Sequence, residues 1–286
     1  METILVIGAS GNIGASVVGI LARNDVKVHA AISQKKEINP WAGNDNVKPV
    51  IFNFLDQSTY AKAMEGVKKV FFVRPPQLSH PKEEIFPFLT YLTTKAIEHV
   101  VFVSLLGVEK NPFTPHHKIE KEIERLQLPY TFLRPSFFMQ NLNTTHREDI
   151  QKNGDLFIPA GKAKTSFIDT RDIGEVAANC LLNTFKHLQQ KYDLTGKEAL
   201  TYYQIAEIMT TVLGKKITYS KPSLWHFRSV MVRRGKPKEY VNVMVMLYFI
   251  TKLGNANKVT PVTQQLLKRE PTSFKQYVKD YRLAFL

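Results

Sequence analysis

Residues 4 to 17 read ILVIGASGNIGASV, an unbroken apolar run that ends in spaced glycines and passes directly into residues of helical spacing. A strand, a tight turn and a helix in immediate succession fit this stretch. The spacing of Gly8, Gly11 and Gly14 has a physical reading. One glycine allows the turn, another lets the backbone come close to a pyrophosphate, and a third packs helix against strand. The free N–H groups and positive end of the following helix then hold the phosphate charge. The bland alternative is a purely structural turn.

The rest of the first half repeats the beat. β-rich runs lie at 3–8, 26–32, 47–54, 68–73, 99–104 and 130–134, and helical patterns start at Asn12 and lie around 58–65, 81–97 and 115–127. Strands alternating with helices imply βαβ units, so the expected fold is α/β, a doubly wound parallel sheet of the Rossmann type. Uninterrupted apolar runs such as VFFV and VVFV suit central strands covered on both faces. We place this nucleotide-binding domain at 1–150 and a smaller, mostly helical lobe at 151–286, interleaved with it across a soft boundary. In the second part the pattern predicts a helix through SFFMQNLNTTHREDIQ and a strand at LFIP. It further predicts a helix to Leu182 capped by Asp169 or Thr170, a strand at KYDLTG, and a helix over TYYQIAEIMTTVLG stopped by Gly214. VNVMVMLYFI, from Val241, is far shorter than the roughly 20 residues of a spanning helix and reads as a buried one, so no membrane is implied.

Cys180 is the single cysteine among 286 residues, which excludes an intramolecular disulfide and points to a reducing compartment. With no export signal at Met1, a cytoplasmic location is expected. The formal charge is +14, and it is unevenly spread. Residues 146–286 hold 23 Lys and Arg against 12 acids, and Lys215 to Lys238 holds eight basic residues and no acid. Trp225, His226 and Phe227 lie within that segment, but no nucleic-acid-binding module accompanies them, so a nucleic-acid surface is the weaker reading.

Taken with VFFVRPP (70–76), VVFVSLLGVEK (100–110), HHKIEKEIERLQLPYTFLRPSFFMQNL (116–142) and FIDTRDIGEVAA (167–178), the glycine turn resembles the NmrA-like branch of the atypical short-chain dehydrogenase/reductases. That group includes NADPH-dependent quinone reductases and non-catalytic redox sensors. The resemblance covers most of residues 3–220 and implies an NAD(P)-binding Rossmann fold. It further implies that Gly8, Ser10, Gly11, Asn12, Ile13, Gly14, Val73 and Arg74 border the cofactor, with Ser104 and Lys121 on the nicotinamide side.

Which cofactor is favoured turns on the end of the second strand. An acid there would hold the ribose hydroxyls of NAD, and a base the 2′-phosphate of NADP. After Ile32 come Ser33, Gln34, Lys35 and Lys36, with no acid before Glu37. NADP(H) is expected over NAD(H), on Lys35 and Lys36, although a basic run can also be a plain solvated loop. Asp56 sits where such folds approach adenine, or it caps the helix that follows.

Short-chain reductases commonly use Tyr-x-x-x-Lys. The pattern occurs at Tyr91–Lys95 and Tyr248–Lys252, neither of which follows the fifth strand and Ser104 as it should, so both are read as chance. His117 and Lys121 stand at the expected place with the same spacing, on one helical face. Histidine titrates near neutrality and could supply a proton; equally, His116 and His117 could be ordinary residues of a first helical turn. A metal site is not indicated, since no third ligand has a recognisable spacing. Phe137, Phe138, Trp225 and Phe227 could floor a flat apolar pocket or lie in the core. The leading expectation is an NADPH-dependent reductase passing hydride to a quinone or similar small conjugated carbonyl compound, using Lys121, His117 and Ser104. The alternative is a sensor that binds NADP(H) and acts through a protein partner without turnover.

Overall fold

The computed structural model describes residues 1–33, 41 and 43–286. The alternating pattern folds as β1 (Glu2–Ile7), α1 (Asn12–Leu21), β2 (Val26–Ile32), β3 (Val47–Ile51), α2 (Tyr60–Ala63), β4 (Val67–Val73), α3 (Pro81–Glu84), α4 (Phe86–Thr93), β5 (His99–Val103), α5 (Pro115–Arg125) and β6 (Tyr130–Pro135). Then come β7 (Phe137–Phe138), α6 (Arg147–Asn153), β8 (Lys164–Ile168), α7 (Thr170–Leu182), α8 (Thr184–His187), β9 (Gln190–Leu194) and β10 (Ala199–Thr201). The chain finishes in α9 (Tyr202–Leu213), α10 (Leu224–Arg233), α11 (Lys238–Lys252), α12 (Val262–Leu267) and α13 (Phe274–Asp280). Packing divides these elements into two units, Met1–Pro135 with Ile173–Asp193, and Ser136–Asp172 with Leu194–Leu286.

The first unit is built on a seven-stranded sheet of order β3-β2-β1-β4-β5-β6-β9. The ladders from β3 to β6 are all parallel. Because β1 is flanked by β2 on one side and β4 on the other, the strand order reverses beside it, and the register sets Ile7 against Phe72. A crevice opens at such a switch point, outside the carboxyl ends of the strands. The apolar runs are buried as a doubly covered sheet demands: Leu5, Val70, Phe72, Val100, Phe102 and Phe132 are closed to solvent. Phe72 stacks on Phe102 with centroids 4.6 Å apart.

Two buried polar groups of this sheet have partners. His99, at the start of β5, has Nε2 2.7 Å from Thr131 Oγ1 and Nδ1 3.2 Å from Thr184 Oγ1. Lys69 donates to the Leu181 carbonyl at 2.7 Å and pairs with Glu2 at 2.8 Å.

The second unit carries the three-stranded sheet β10-β8-β7, with β10 antiparallel and β7 parallel to β8. Its core gathers Phe167, Tyr202, Phe227, Tyr248, Phe274 and Tyr277. α9 begins in a reciprocal cap between Thr201 and Gln204 and ends at Gly214, φ +68°, as its sequence foretells. Asp169 Oδ1 accepts from the Arg171 N–H at 2.8 Å and so caps α7.

Three expectations fail in this unit. The helix predicted through SFFMQNLNTTHREDIQ is instead the two-residue β7, a 3-10 turn at Met139–Asn141 and the short α6. LFIP is no strand; it runs irregularly beside a single bridge from Asp155 to Thr218. VNVMVMLYFI does lie in a helix, α11, yet only part of it is buried.

Burial and the nearby charges of Lys69 and His187 bring His99 down from 6.5 to about 3. An unfolded chain would take up a proton there near pH 6.5, the folded chain only near 3. The stabilisation is therefore full above pH 6.5 and is lost as pH falls toward 3. At pH 4.5 His99 alone should cost about 2–3 kcal/mol of stability relative to neutral pH. Urea midpoints at the two pH values measure this, and His99→Gln should narrow the difference; an unchanged difference would remove His99 as its source.

Candidate functional site

At the end of β1 the chain turns at Gly8, whose φ of +84° suits glycine. The Gly11 N–H donates to the Gly8 carbonyl at 2.9 Å, and the Gly11 carbonyl accepts from Ala15 N–H, so Gly11 is the N-cap of α1. A Cβ on Gly14 would lie 2.1 Å from the Gly8 oxygen, inside any tolerable contact, and one on Gly11 would lie 3.2 Å from it. A Cβ on Gly174 of α7 would likewise meet Ser16 Cβ of α1 at 2.5 Å. Strand, turn and helices are thus drawn as close as backbones allow. Ile13 and Gly14 are buried, whereas Gly8, Ser10, Gly11 and Asn12 are exposed. No side chain caps α1 and no acid stands in its first turn, which leaves an electropositive helix end at the switch point. These features fit a dinucleotide's pyrophosphate.

Val73, the last residue of β4, flanks the turn: its Cβ lies 3.9 Å from where a Gly8 Cβ would be. Arg74 folds back over its own loop. Its Nη1 donates to the carbonyls of Pro75, Pro76 and Leu78 at 3.0, 3.1 and 2.6 Å, and its buried Nε has no partner. Burial lowers the basicity of this guanidinium. His116 stacks on Phe102 with centroids 6.0 Å apart. Burial and the charge of Arg74 bring it down to about 3, so it is a neutral ring at working pH. Ser104 follows β5, its N–H donating to the Leu133 carbonyl at 2.7 Å, while its buried Oγ has no partner. A buried hydroxyl without a partner is costly, and a ligand that bonded it would relieve the cost.

α5 starts under the hydroxyl of Thr114, which accepts from the His117 N–H at 3.3 Å. The His117 ring is half-buried, with Nδ1 3.1 Å from the Val108 carbonyl. Since a carbonyl only accepts, Nδ1 carries the hydrogen of the neutral ring and Nε2 is its acceptor. Lys121 turns the other way: its exposed ammonium pairs with Glu124 at 2.8 Å. Glu124 also accepts from Lys191 at 2.6 Å and from the Tyr130 hydroxyl at 3.3 Å. Burial pushes its carboxyl up, but hydrogen bonds from the two lysines outweigh that and bring it down to about 2. Tyr130 opens β6, so this cluster lies at the amino edge of the sheet. Along a helix, Glu124 is about 10 Å from His117. The geometry brings the glycine turn and Val73 together and holds the Lys121 ammonium on Glu124.

The remaining candidates are placed as follows. Asp56 is exposed and accepts from Ser58 N–H at 3.1 Å and Ser58 Oγ at 2.6 Å, a helix cap. Lys35 and Lys36 lie outside the described residues. Phe227 belongs to the core of the second unit and Trp225 is exposed, so these two do not share one surface; Phe137 and Phe138 are half-buried. Sequence reasoning passed over Glu120, whose carboxylate takes a two-pronged bond from Arg134 at 3.0 and 2.6 Å and fixes α5 on β6. Surrounded in the sequence by charged residues, it gives no hint of burial.

The sequence model of the NmrA-like family matches residues 1–278. An uncharacterized oxidoreductase of Bacillus subtilis, YesF, is 30% identical over 96% of this chain and 93% of its own. An NAD(P)H azoreductase of Xenophilus azovorans is 27% identical over 99% of both chains. Among solved structures, the NADPH-dependent quinone oxidoreductase QOR2 of Escherichia coli, complexed with NADPH, superposes with a TM-score of 0.86 at 19% identity, covering 98% of this chain and 99% of that one.

Two glycines of α1 separate packing from propensity. Gly14→Ala should destabilise by about 1–3 kcal/mol, because the methyl meets backbone. Gly19, with nothing within 4 Å of an added Cβ, should gain up to about 1 kcal/mol on conversion to alanine. Urea midpoints of the two variants decide: if they move together, the close approach at Gly8 is not what requires glycine.

Proposed function

The chain belongs to the NmrA-like family, and from that premise we propose that it is an NADPH-dependent reductase whose acceptor is a quinone or a similar small conjugated carbonyl compound. The observation that carries this reading is the open, acid-free helix terminus at the glycine turn, set at the point where the strand order reverses. Support for the acceptor class comes from the azoreductase and the quinone oxidoreductase, which by name take flat conjugated molecules.

In this reading the amides of Ser10, Asn12 and Ile13 hold the pyrophosphate, and Gly11 and Gly14 keep side chains out of its way. Lys35 and Lys36, with no acid before Glu37, favour the 2′-phosphate. Val73 and Arg74 form the neighbouring wall, with the guanidinium keeping the loop after β4 in one shape. A bound reduced nicotinamide supplies the hydride. The Ser104 hydroxyl donates to the ligand beside it, and His117 Nε2 carries the proton that the reduced acceptor takes up. Lys121 serves the site only after leaving Glu124.

Cofactor oxidation by purified protein, with NADPH or NADH and a panel of quinones and azo dyes, tests the reading. We expect turnover with NADPH that Gly11→Val abolishes through lost cofactor binding. Removing both Lys35 and Lys36 should cut the preference for NADPH about ten- to a hundredfold, the worth of charge-assisted phosphate contacts. Lys121→Met should slow turnover more than His117→Ala does, while Glu124→Gln spares it. Rates equal in the parent and Lys121→Met take Lys121 out of the site. Tight NADPH binding with no oxidation by any acceptor would favour the sensor reading instead.

A further inference from the structure

α11 has two apolar stripes. Val241, Met244, Tyr248 and Thr251 are buried in the second unit. On the opposite side Val243, Met246, Ile250 and Leu253 repeat the same spacing, joined by Leu247 and Phe249. Val243, Met246, Phe249 and Leu253 are 49, 43, 49 and 62% exposed. A helix with apolar stripes on two sides ordinarily lies inside a protein or against lipid, and here one of them, interrupted by Glu239 and Asn242, faces water. α11 is about 22 Å long, and no described helix is long and apolar enough to cross a membrane. It can only lie flat.

The surroundings of this face narrow what covers it. α10 is tied to α11 through Arg228 Nε, 2.9 Å from Asn242 Oδ1, and carries Trp225, 82% exposed. From Lys215 to Lys258 the chain has ten lysines and arginines, with Glu239 the one acid. Lys221, Arg233, Lys236, Lys238 and Lys252 are exposed among them. Aliphatic residues with basic side chains and an aromatic at their edge are the composition of a helix lying in a membrane interface. A second copy would set two such cationic surfaces against each other, and a neutral bilayer would leave the cations unanswered. Anionic headgroups over acyl chains answer both the charge and the apolar face.

We propose that α10 and α11 form a docking surface for an anionic phospholipid bilayer, on which α11 lies in the plane of the interface with Trp225 among the headgroups. The surface stands whether or not the reductase reading does, and binding is read without any turnover.

Co-sedimentation of the full chain with vesicles of phosphatidylcholine, alone or mixed with phosphatidylglycerol, tests the proposal. Binding to the mixed vesicles should be at least about tenfold stronger and should fade with added salt. In a Trp41→Phe background Trp225 is the remaining tryptophan, and its emission should shift to the blue and be quenched by brominated acyl chains. Met246→Glu with Phe249→Glu, and separately Lys236→Glu with Lys238→Glu, should each weaken binding about tenfold or more with the parent's circular dichroism and urea midpoint. Equal binding to both vesicle types, or full binding by either folded variant, overturns the proposal. So does a failure to bind vesicles, whether α11 is then found in a concentration-dependent dimer or against an acidic protein.

Discussion

The first unit depends on one close approach, that of the α1 backbone to the carbonyl of Gly8. Nothing larger than hydrogen fits at Gly14, so the helix starts hard against the strand and its free amides emerge at the edge of the sheet where β1 and β4 part. A methyl group there, 2.1 Å from the Gly8 oxygen, would push the start of α1 away by about 1 Å, and the amides would no longer converge. The repeated pattern at Gly174, against Ser16, holds the other side of α1 with the same economy. Position, more than any reactive side chain, is what the fold supplies here.

Charge follows a different logic. Several ionisable groups packed in or against the sheet are either neutral or held in a short, buried bond. His99 and His116 stay uncharged, and Glu120 and Arg134 neutralise each other. Exposed charge accumulates toward the carboxyl end of the chain instead. The Glu124 cluster shows the consequence for Lys121. A flexible four-carbon ammonium goes to the nearest available carboxylate, and in this molecule that carboxylate is one helical turn further from the glycine turn.

Much of this was legible in the sequence because period and position agree. Runs of buried residues in β1, β4 and β5 match parallel strands covered on both faces, and the glycine spacing predicts a turn whose φ and contacts require glycine. The segment 136–160 was not legible, because Phe137 and Phe138 gain strand structure from a partner, β8, some thirty residues away, and no local pattern announces a distant ladder. VNVMVMLYFI misled for the opposite reason: with Asn242 alone to mark a solvent side, apolar residues fill both the face turned inward and the face turned out. The spacing of His117 and Lys121 correctly gave one helical face, yet the direction of a long side chain along that face is set by its partner.

The first turn of α7 draws together residues that are far apart in the chain. Asp172, closed to solvent, binds Arg269 at 2.9 Å and accepts from the N–H and hydroxyl of Thr272 at 2.7 and 3.0 Å. Arg171, already paired with Asp169, reaches Asp280 at 2.7 Å. About a hundred residues separate these partners, which makes them late contacts in folding, since long loops close slowly. During synthesis the strands of the first unit are complete once Leu194 has emerged. The second unit, by contrast, cannot pair the Asp172 carboxylate until residues 269–272 have been made. Asp172 is thus the point at which the early and late segments of the second unit are joined.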